Sequence, residues 1–431
     1  MKLADIIDTF ITGDWGEESP TQDTPNAAYC VRGADIVPIT NHNFTDIPQR
    51  YVCDRTKETK LLAAGDLVIE KSGGSPTQST GRIVYVSEDL IKAKGNVVCS
   101  NFCTAFRVKA GWNPLYVYYF WQNVYNHGAF FNFEGKTSGI KNLQLDNALS
   151  AIDIEYLPLE KQNQIVASLA SIDEKIKVNR QINDNLEAMA KQLYDYWFVQ
   201  FDFPNEEGKP YKSSGGAMVY NERLKREIPV GWQVENLVDF AEIKNGATPS
   251  TSDDTNYGGD IVWITPKDLS DQQSKFVYQG ERNITKQGFD SCSTSMLPIN
   301  SLLMSSRAPI GLISIAKHEV CTNQGFKSFI PKNMKDSIYL YYYIKHHIKQ
   351  IEQLGNGTTF KEVSRDDLCK FPILVVGAND TYKLWVELQD EIANKQFVLT
   401  KEIASLTKQR DELLPLLMNG QATVNYHLSA C

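Results

Sequence analysis

Hydrophobic positions recur every seven residues between residues 160 and 198, in the stretch EKQNQIVASLASIDEKIKVNRQINDNLEAMAKQLYDYWF, which contains neither Gly nor Pro. One series consists of Ile165, Ile172, Asn179, Leu186 and Leu193. A second series, four places later, consists of Leu169, Ile176, Asn183, Ala190 and Trp197. Two mostly apolar positions with this spacing are typical of a seam between paired helices. At about 1.5 Å per residue the helix would be roughly 55–60 Å long, which predicts a partner helix.

A second stretch with the same spacing covers residues 385–417, WVELQDEIANKQFVLTKEIASLTKQRDELLPLL. Its two series are Ile392, Leu399, Leu406 and Leu413, followed four places later by Gln396, Ile403, Arg410 and Leu417. Ile172 and Ile392 are 220 residues apart (392 − 172), and the same interval separates Leu186 from Leu406 (406 − 186). This shared interval predicts that the two helices pair as an antiparallel coiled coil.

Two asparagines, Asn179 and Asn183, occupy seam positions where Leu would be more stabilising. They either fix the register of the helix pair or remain solvated. Heptads also arise by chance in single amphipathic helices, and the interval shared by the two stretches argues against that alternative.

The segments outside these helices are strand-rich. Runs of β-branched and aromatic residues between Gly, Asn and Ser predict strands at Ala28–Val31, Asp66–Ile69, Arg82–Val86, Val97–Cys99 and Ala105–Val108. A helix is predicted from Asn113 to Asn126.

The two strand-rich segments repeat one another in order. LADIIDTFITG from Leu3 matches LVDFAEIKNG from Leu237, and GDLVIEKSG matches NSLLMSSRA. Further on, NVVCSNF matches EVCTNQGF, which aligns Cys99 with Cys321, and PLYVYYF matches SIYLYYYI. A polar turn, EGKTSGIKNL, matches GNGTTFKEV. One unit of roughly 200 residues, a globular part plus a helix, therefore occurs twice.

The predicted fold class is α+β, with two similar strand-rich globular domains, two long helices that form an antiparallel coiled coil, and an internal pseudo-twofold duplication. The predicted boundaries are a first globular domain at 1–157, the first helix at 158–200, a connector with little regular structure at 201–228, a second globular domain at 229–372, the second helix at 373–420 and a tail at 421–431.

Composition and charge limit the classes of function. The chain has 44 Lys and Arg against 52 Asp and Glu, so local patches or partners must supply much of any attraction to nucleic acid. The acidic start MKLADIIDTF and the absence of a long apolar run predict neither a secretory signal nor a membrane span. The eight Cys include no CxxC pair, which favours reduced thiols in a cytoplasmic protein over a zinc site.

Two similar domains on an antiparallel helix pair would be related by a pseudo-twofold axis, which matches the approximate dyad of duplex DNA. Each domain could read a short base sequence while the helices set the distance between them. Because the two domains differ strongly in sequence, the two half-sites should differ, and the target should be asymmetric.

Three blocks of the chain resemble those of type I restriction-modification specificity subunits: the helix EKQNQIVASLASIDEKIKVNRQINDNLEAMAKQLYDYWFVQFDF, the run IPVGWQVENL with the following GATPS and VWITPKDL, and the terminal KQRDELLPLLMNG. The resemblance implies two target-recognition domains and two spacer helices. It also implies partners, namely double-stranded DNA, two modification (adenine methyltransferase) subunits and restriction (helicase-nuclease) subunits. S-adenosylmethionine, ATP and Mg are then expected on those partner subunits, with no cofactor on this chain. The segment after Pro372, ILVVGANDTYKLW, departs from the family pattern because it lacks the EKQ run that follows Pro158.

Motifs for catalysis are absent or weak. No Asn-Pro-Pro-Tyr methylase motif occurs, and GKT at residues 135–137 lacks the first Gly of a phosphate loop because residue 130 is Phe. The six His do not fall at ligand spacing with Cys or carboxylates, and Asp366–Asp367 beside Arg365 is more typical of a solvated helix end than of a nuclease site. We therefore predict no catalytic residue and no metal site in this chain.

Candidate DNA contacts lie in two matched regions. The first is the polar turn, with Lys136, Thr137, Ser138 and Lys141 in one copy and Thr358, Thr359, Lys361 and Arg365 in the other. The second is the loop after the matched strand, with Lys71, Ser72, Ser75 and Arg82 in one copy and Ser305, Ser306 and Arg307 in the other. Hydroxyls and cations suit phosphate contacts, and Arg can read guanine. An ordinary solvated turn has the same composition, so both interpretations stand at this point.

Two other functions fit parts of the pattern. A coiled-coil adaptor would use its duplicated domains to bind protein instead of DNA. A self-contained restriction enzyme or methylase would need the catalytic motifs that the sequence lacks.

Overall fold

A computed structural model describes residues 1–73, 78–137, 140–272, 274–355, 361–376 and 380–422. The chain divides into two compact units. The first unit holds residues 1–181 with those from 401 onward, and the second holds residues 182–400. Each unit therefore contains one globular domain and part of each long helix.

In its described residues the first unit contains ten strands, the start of one long helix and the end of the other. Its strands are β1 Ile7–Thr12, β2 Asn26–Val31, β3 Gln49–Val52, β4 Leu67–Glu70, β5 Ser72–Gly73, β6 Ile83–Tyr85, β7 Val97–Cys99, β8 Cys103–Val108, β9 Glu134–Thr137 and β10 Ile140–Leu143. Its helices are α1 Ile36–Thr40, α2 Asp54–Thr59, α3 Glu88–Lys94, α4 Pro114–Asn126, α5 Leu145–Ala151 and the first part of the long helix α6 Leu159–Tyr194. Short 3-10 turns cover Leu3–Ile6, Gly33–Asp35 and Ala129–Phe133.

The strands of the first unit form three sheets, in the orders β1-β8-β4-β6, β3-β2-β7 and β5-β10-β9. The first is antiparallel, and β2 and β7 run parallel. Helix α4 covers the first sheet with an aromatic face. It begins at Pro114 because the side chain of Asn113 accepts a hydrogen bond from the Leu115 amide (2.9 Å). Its fully buried Trp121 donates from Nε1 to the Gly81 carbonyl (2.7 Å).

The second unit repeats this composition of elements. Its strands are β11 Met218–Asn221, β12 Arg226–Pro229, β13 Gln233–Asn236, β14 Ala241–Asn245, β15 Tyr257–Ile264, β16 Phe276–Val277, β17 Asn283–Ile284, β18 Leu302–Ser306, β19 Ile310–Ala316, β20 Cys321–Thr322, β21 Phe326–Pro331 and β22 Pro372–Val375. Its helices are α7 Leu237–Phe240, α8 Pro266–Gln272, α9 Lys286–Asp290, α10 Ser337–His346, α11 Ile348–Gln353, α12 Arg365–Lys370 and most of the second long helix, α13 Asp380–Met418. Helix α6 continues into a π-helical turn, Asp195–Val199, and 3-10 turns cover Asp254–Asn256 and Met334–Asp336.

The strand orders confirm the internal duplication. The order β14-β21-β18-β19 in the second unit reproduces β1-β8-β4-β6 in the first, with β16 added at one edge. The aligned cysteines take the same place, since Cys99 in β7 lies opposite Val31 on a parallel strand and Cys321 in β20 lies opposite Trp263 on a parallel strand.

A matched glycine in each unit supports the same conclusion. Gly13 and Gly246 both follow the first strand of their sheet, and a Cβ at either position would collide with a backbone carbonyl oxygen, that of Ser100 or of Asn323. Because only glycine permits this close approach of two backbone segments, the repeat preserves a packing requirement as well as a sequence pattern.

The long helices are antiparallel within each unit. In the first unit Asp173 pairs with Arg410 (3.1 Å) whereas Lys175 pairs with Glu402 (2.7 Å), so the partner number falls as the residue number rises. In the second unit Gln396 donates to Glu187 (3.2 Å) and Gln389 donates to the Ala190 carbonyl (3.1 Å), so the order is again opposite. The predicted pairing is confirmed in both units.

Most positions of the predicted seam are buried or half-buried, and Leu413 is the exception. Leu169 and Ile176 in the first unit, and Ala190 and Trp197 in the second, are buried. Asn179, Gln396 and Leu417 are also buried, and the other predicted positions, apart from Leu413, are half-buried: Ile165, Ile172, Asn183, Leu186, Leu193, Ile392, Leu399, Ile403, Leu406 and Arg410. Leu413 is 37% exposed and Leu414 is buried in its place. A straight helix drifts by about 20° per heptad from a strict seven-residue repeat, which moves the buried face by one residue at the end.

Two predicted boundaries need correction. Residues 373–375, assigned to the second helix, belong to β22, which pairs with β13, and α13 begins only at Asp380. The run PILV favours a strand because it is short and apolar. Pro372 also biases the backbone of the residue before it toward an extended conformation. The connector at 201–228 is also more ordered than predicted. Phe201 and Phe203 are buried against Trp232, and β11 pairs with β12 as a hairpin.

No helix in the described ranges is both long enough and apolar enough to cross a lipid bilayer.

Candidate nucleic-acid interface

The structure brings the two predicted DNA-contact regions together in the first unit. We call the loop after β4, with Arg82 and the β9–β10 hairpin, the first corner. Ser72 Oγ donates to Asn142 Oδ1 (2.5 Å), and the amide of Leu143 donates to the carbonyl of Lys71 (2.7 Å). Strands β5 and β10 pair there, with Lys141 opposite Gly73. Two sequence regions that are 70 residues apart (142 − 72) therefore form one surface.

Arg82 does not present a free guanidinium in the first corner. Its Nε and Nη2 donate to the two carboxylate oxygens of Glu70 at 2.8 and 2.6 Å, and the two side chains are 17% and 4% exposed. This bidentate hydrogen bonding raises the pKa of Arg82. The assignment of Arg82 as a candidate DNA contact is therefore corrected: Glu70 already holds its Nε and Nη2, so this side chain supports the fold.

Lys141 is also held in an ion pair within the protein. Its Nζ lies 3.1 Å from Glu134, and both side chains are largely buried. Burial acts to raise the pKa of Glu134, but hydrogen bonds from the Thr80 amide and from Lys141 outweigh it and hold that pKa below its ordinary value. Lys71 and Ser72, which are half-buried, remain the candidates for DNA contact in the described part of this corner.

Several candidates lie outside the residues described in detail. The backbones of Lys136 and Thr137 are in β9, but their side chains are outside the description. Ser75, Ser138, Thr358 and Thr359 lie outside the described residues altogether. Their predicted DNA contacts stay predictions.

The second corner consists of the β18–β19 hairpin and residues 361–365. Ser305 and Ser306 at the end of β18 are fully buried. Ser305 Oγ donates to the Pro309 carbonyl (2.7 Å) and accepts from the Leu312 amide (2.9 Å), so it holds the hairpin turn closed. Ser306 Oγ donates to the Gly325 carbonyl (3.2 Å). These two hydroxyls shape the hairpin, and the prediction that they contact DNA is corrected.

Arg307 is the candidate that this hairpin exposes. Its side chain is 39% exposed and its Nη1 lies 3.8 Å from Glu362. The same carboxylate lies 3.2 Å from the Nζ of Lys327, which is 10% exposed. The amide of Val363 donates to the Ser306 carbonyl (3.0 Å), which joins the two predicted regions as in the first corner.

Lys361 and Arg365 lie beside this hairpin and are exposed. Arg365 is at the first position of α12, whose N-cap Ser364 accepts a hydrogen bond from the Asp367 amide (3.1 Å). Its Nε donates to the carbonyl of Ile243 (2.9 Å), which leaves the remaining guanidinium nitrogens for a phosphate.

Sequence reasoning missed the carboxylates that organise both corners. Glu70 ends the fully buried strand LVIE, and a charged residue inside an apolar run is a signal that a buried partner exists. Lys327 in the strand FKSFIP carries the same signal. Among the described residues, no three His, Cys, Asp or Glu side chains come together as metal ligands.

The model of the type I restriction modification DNA specificity domain matches residues 3–188 and again residues 229–415. The chain therefore belongs to this family. The two matches coincide with the two copies found by internal alignment, and each extends from a globular domain into a long helix.

Relatives with known names belong to the same family. The chain is 38% identical over 175 residues to the type I restriction enzyme MjaIX specificity subunit of Methanocaldococcus jannaschii, a match that covers 39% of this chain and 40% of that protein. It is 25% identical over 325 residues to the HindI specificity subunit of Haemophilus influenzae, covering 64% of this chain and 70% of that one. The crystal structure of an S subunit from M. genitalium superposes with a TM-score of 0.55 at 13% identity, over 97% of this chain and 95% of that one, and shares the fold.

Proposed function

We propose that this chain is the DNA sequence-specificity subunit of a type I restriction-modification complex. It reads an asymmetric, bipartite target, with one half-site for each unit. The observation that carries this proposal is that the family's DNA specificity domain occurs twice in one chain. The two copies share strand order but differ in the residues at their corners, which favours two different half-sites.

The corners are the surfaces proposed to meet DNA. Each lies where a loop from the central sheet joins a polar turn; among the described residues the first corner presents Lys71, and the second presents Arg307, Lys361 and Arg365. In the second corner Arg307 is the proposed base reader, because a partly exposed Arg on a rigid hairpin can donate two hydrogen bonds to guanine. Lys71, Lys361 and Arg365 are proposed to contact phosphates, which position a protein on DNA without reading sequence.

Catalysis is assigned to partners. Two modification subunits, which bind S-adenosylmethionine, would methylate adenine, and restriction subunits would use ATP and Mg. This chain would bind none of these cofactors and would act in the cytoplasm, where these partners and DNA meet. The duplicated long helices offer one docking position for each modification subunit.

Reconstitution tests this function. The purified chain alone should show no methylation, and addition of the cognate modification subunit should produce adenine methylation at one bipartite motif. Sequencing of methylated genomic DNA identifies that motif. Methylation by the chain alone, or a methylated motif that does not depend on the chain, would contradict the proposal. Protein partners without any DNA dependence would favour the adaptor function instead.

The long helices are proposed to set the gap between half-sites. Inserting four residues between Asn179 and Asn183 adds roughly one helical turn, about 6 Å, and should lengthen the gap by one or two base pairs of about 3.4 Å. Some affinity should be lost, because four residues shift the heptad by about half a period. The half-sites should stay the same, and an unchanged gap in an active variant would show that the helices do not set it.

A further inference from the structure

A tyrosine at the same position of the two matched aromatic helices bonds to a carboxylate of α6. In the aligned stretches PLYVYYF and SIYLYYYI the sixth residue is Tyr119 in one copy and Tyr342 in the other. Both side chains are almost completely buried. Their hydroxyl groups donate hydrogen bonds to side chains of the long helix α6. Other tyrosines of α4 and α10, such as Tyr125 and Tyr343, donate to carbonyls within their globular domain.

In the first unit three helices meet on one carboxylate. The hydroxyl of Tyr119 in α4 donates to Asp173 Oδ2 (2.5 Å), and the guanidinium of Arg410 in α13 donates from Nη1 to Asp173 Oδ1 (3.1 Å). Asp173 belongs to α6. The globular domain and both long helices are thereby joined through a single side chain.

In the second unit the same arrangement is built from different residues. The hydroxyl of Tyr342 in α10 donates to Glu187 Oε2 (3.0 Å), and the amide of Gln396 in α13 donates to the same oxygen (3.2 Å). Lys275, just before β16, donates to the hydroxyl of Tyr342 (2.7 Å) and to Glu187 (3.3 Å). Lys345 in α10 binds the other oxygen, Glu187 Oε1 (3.2 Å).

Directional bonds of this kind restrict the angle of the domain on the helices. Apolar contacts alone, such as the stacking of Tyr194 on Tyr342 at 5.5 Å between ring centroids, tolerate small rotations and shifts. A hydrogen bond to a carboxylate does not, since it weakens steeply when its angle changes and is stronger than a neutral one. Asp173 and Glu187 both belong to α6 and are two heptads apart in sequence (187 − 173 = 14).

We propose that Tyr119 with Asp173 and Arg410, and Tyr342 with Glu187 and Gln396, are positioning residues that fix each domain on the two long helices and restrict the chain to one gap length between half-sites. We call these two sets the first and second locks. The inference rests on the proposed function, because the gap is a property of DNA recognition. The locks touch no base: they act on the domains that do.

The test compares lock variants with matched controls in the complex with the cognate modification subunit. Tyr119→Phe and Tyr342→Phe each remove one hydroxyl from a lock. Each control removes the hydroxyl of another tyrosine on the same helix, one whose hydrogen bond does not reach α6. Tyr125→Phe loses a bond to the Ser79 carbonyl (2.9 Å), and Tyr343→Phe loses a bond to the Pro372 carbonyl (2.9 Å). Methylation rates are measured on DNA with the cognate gap and with gaps one base pair shorter and longer.

The lock variants should raise the ratio of off-gap to cognate methylation by about tenfold, which corresponds to the loss of one hydrogen bond to a charged group. The controls should leave this ratio at the wild-type value, although each also removes a tyrosine hydrogen bond, here to a neutral carbonyl. The half-sites should be unchanged in all four variants. An unchanged ratio in the lock variants, or an equal rise in the controls, would overturn the positioning role.

Hydrogen exchange of the full chain gives a second readout that does not depend on methylation. Amides of α6 around Asp173 should exchange faster in Tyr119→Phe than in Tyr125→Phe, and those around Glu187 faster in Tyr342→Phe than in Tyr343→Phe. Equal exchange would overturn the locks. Failure of the wild-type complex to methylate any bipartite site would overturn the proposed function instead, and the exchange experiment would still decide on the locks.

Discussion

Each corner contains an ion pair with one buried and one more exposed partner. In the first corner the buried partner is the carboxylate, whereas in the second corner the buried partner is the cation. Glu70 is 4% exposed and its partner Arg82 is 17% exposed. Lys327 is 10% exposed, and Glu362, its partner, is 38% exposed. The two corners occupy matched places in the same strand order, so the inversion arises from sequence divergence on one scaffold.

A second ion pair in each unit shows the same difference: the buried partner is the acid in the first unit and the cation in the second. Asp66 is almost fully buried beside an exposed Arg107 in the first unit (2.8 Å), and Lys275 is buried beside the more exposed Glu187 in the second (3.3 Å). Burial holds the pKa of Lys275 down at about 8, an effect that outweighs the attraction of Glu187.

This difference indicates which cations can serve DNA. A cation held bidentately by a buried acid supports the fold, because releasing it would leave an uncompensated buried charge. The described part of the second corner has one carboxylate, Glu362, for three cations, Arg307, Lys361 and Arg365, and Lys327 of β21 lies against the same carboxylate. A local excess of positive charge therefore lies in the second corner, in a chain whose overall charge is −8.

The largest expected effect comes from removing the buried acid of the first corner. Glu70→Gln leaves Arg82 partly buried without a counter-charge and should destabilise the first unit by about 3–5 kcal/mol. Glu362→Gln in the second corner should cost less, because at 38% exposure of Glu362 water can reach the place of the lost carboxylate beside Lys327. Calorimetric unfolding, with hydrogen exchange to locate the affected strands β4 and β6, measures both. Equal losses of unfolding free energy in Glu70→Gln and Glu362→Gln would show that the two corners do not differ in this way.

The next effect concerns base reading by the second corner. Arg307→Ala should reduce methylation of the full site by about 10- to 100-fold and relax the preference at one base pair of the second half-site, since a bidentate Arg–guanine contact contributes about 1–3 kcal/mol. The first half-site should be unaffected. Lys383→Ala, which removes an exposed cation at the start of α13, is the matched control. A loss without any change in base preference would make Arg307 a phosphate contact.

The smallest effect is a pH dependence of the second unit. Between pH 8 and about 10.5 the folded chain has released the Lys275 proton while the unfolded chain still holds it, so this group makes the free energy of unfolding rise with pH. The groups that face Lys275 are Glu187, Tyr342, Lys345 and Lys317. Denaturant unfolding of wild type and Lys275→Met at pH 7.5 and 9.5 isolates the effect by subtraction. A variant with the same rise would show that Lys275 is not its source.

The sequence predicted the features that have a repeat or a period. The heptads located both long helices, and internal alignment identified the duplicated sheets to the level of a matched pair, Cys99 and Cys321. The aromatic helix was predicted at Asn113–Asn126 and observed at Pro114–Asn126. These features depend on many residues acting together, so single exceptions do not hide them.

Features that depend on one partner were not predictable. Nothing in the sequence pairs Arg82 with Glu70 or encloses Ser305 in its hairpin, because both depend on tertiary contacts across the sheet. The strand β22 was assigned to a helix because its partner β13 lies 139 residues earlier (372 − 233) and leaves no local signal. The candidate site was therefore predicted as a region, and only the structure separates the side chains held in buried ion pairs and hydrogen bonds from those that remain candidates for DNA contact.

The central claim is that the two units read DNA independently, and domain exchange tests it most directly. Residues 1–157 are replaced by the corresponding segment of a family member with a different target, and the methylated motif is determined in cells that carry the cognate modification subunit. The account predicts that one half-site changes to that of the donor, while the other half-site and the gap are retained. A change in both half-sites together would contradict it.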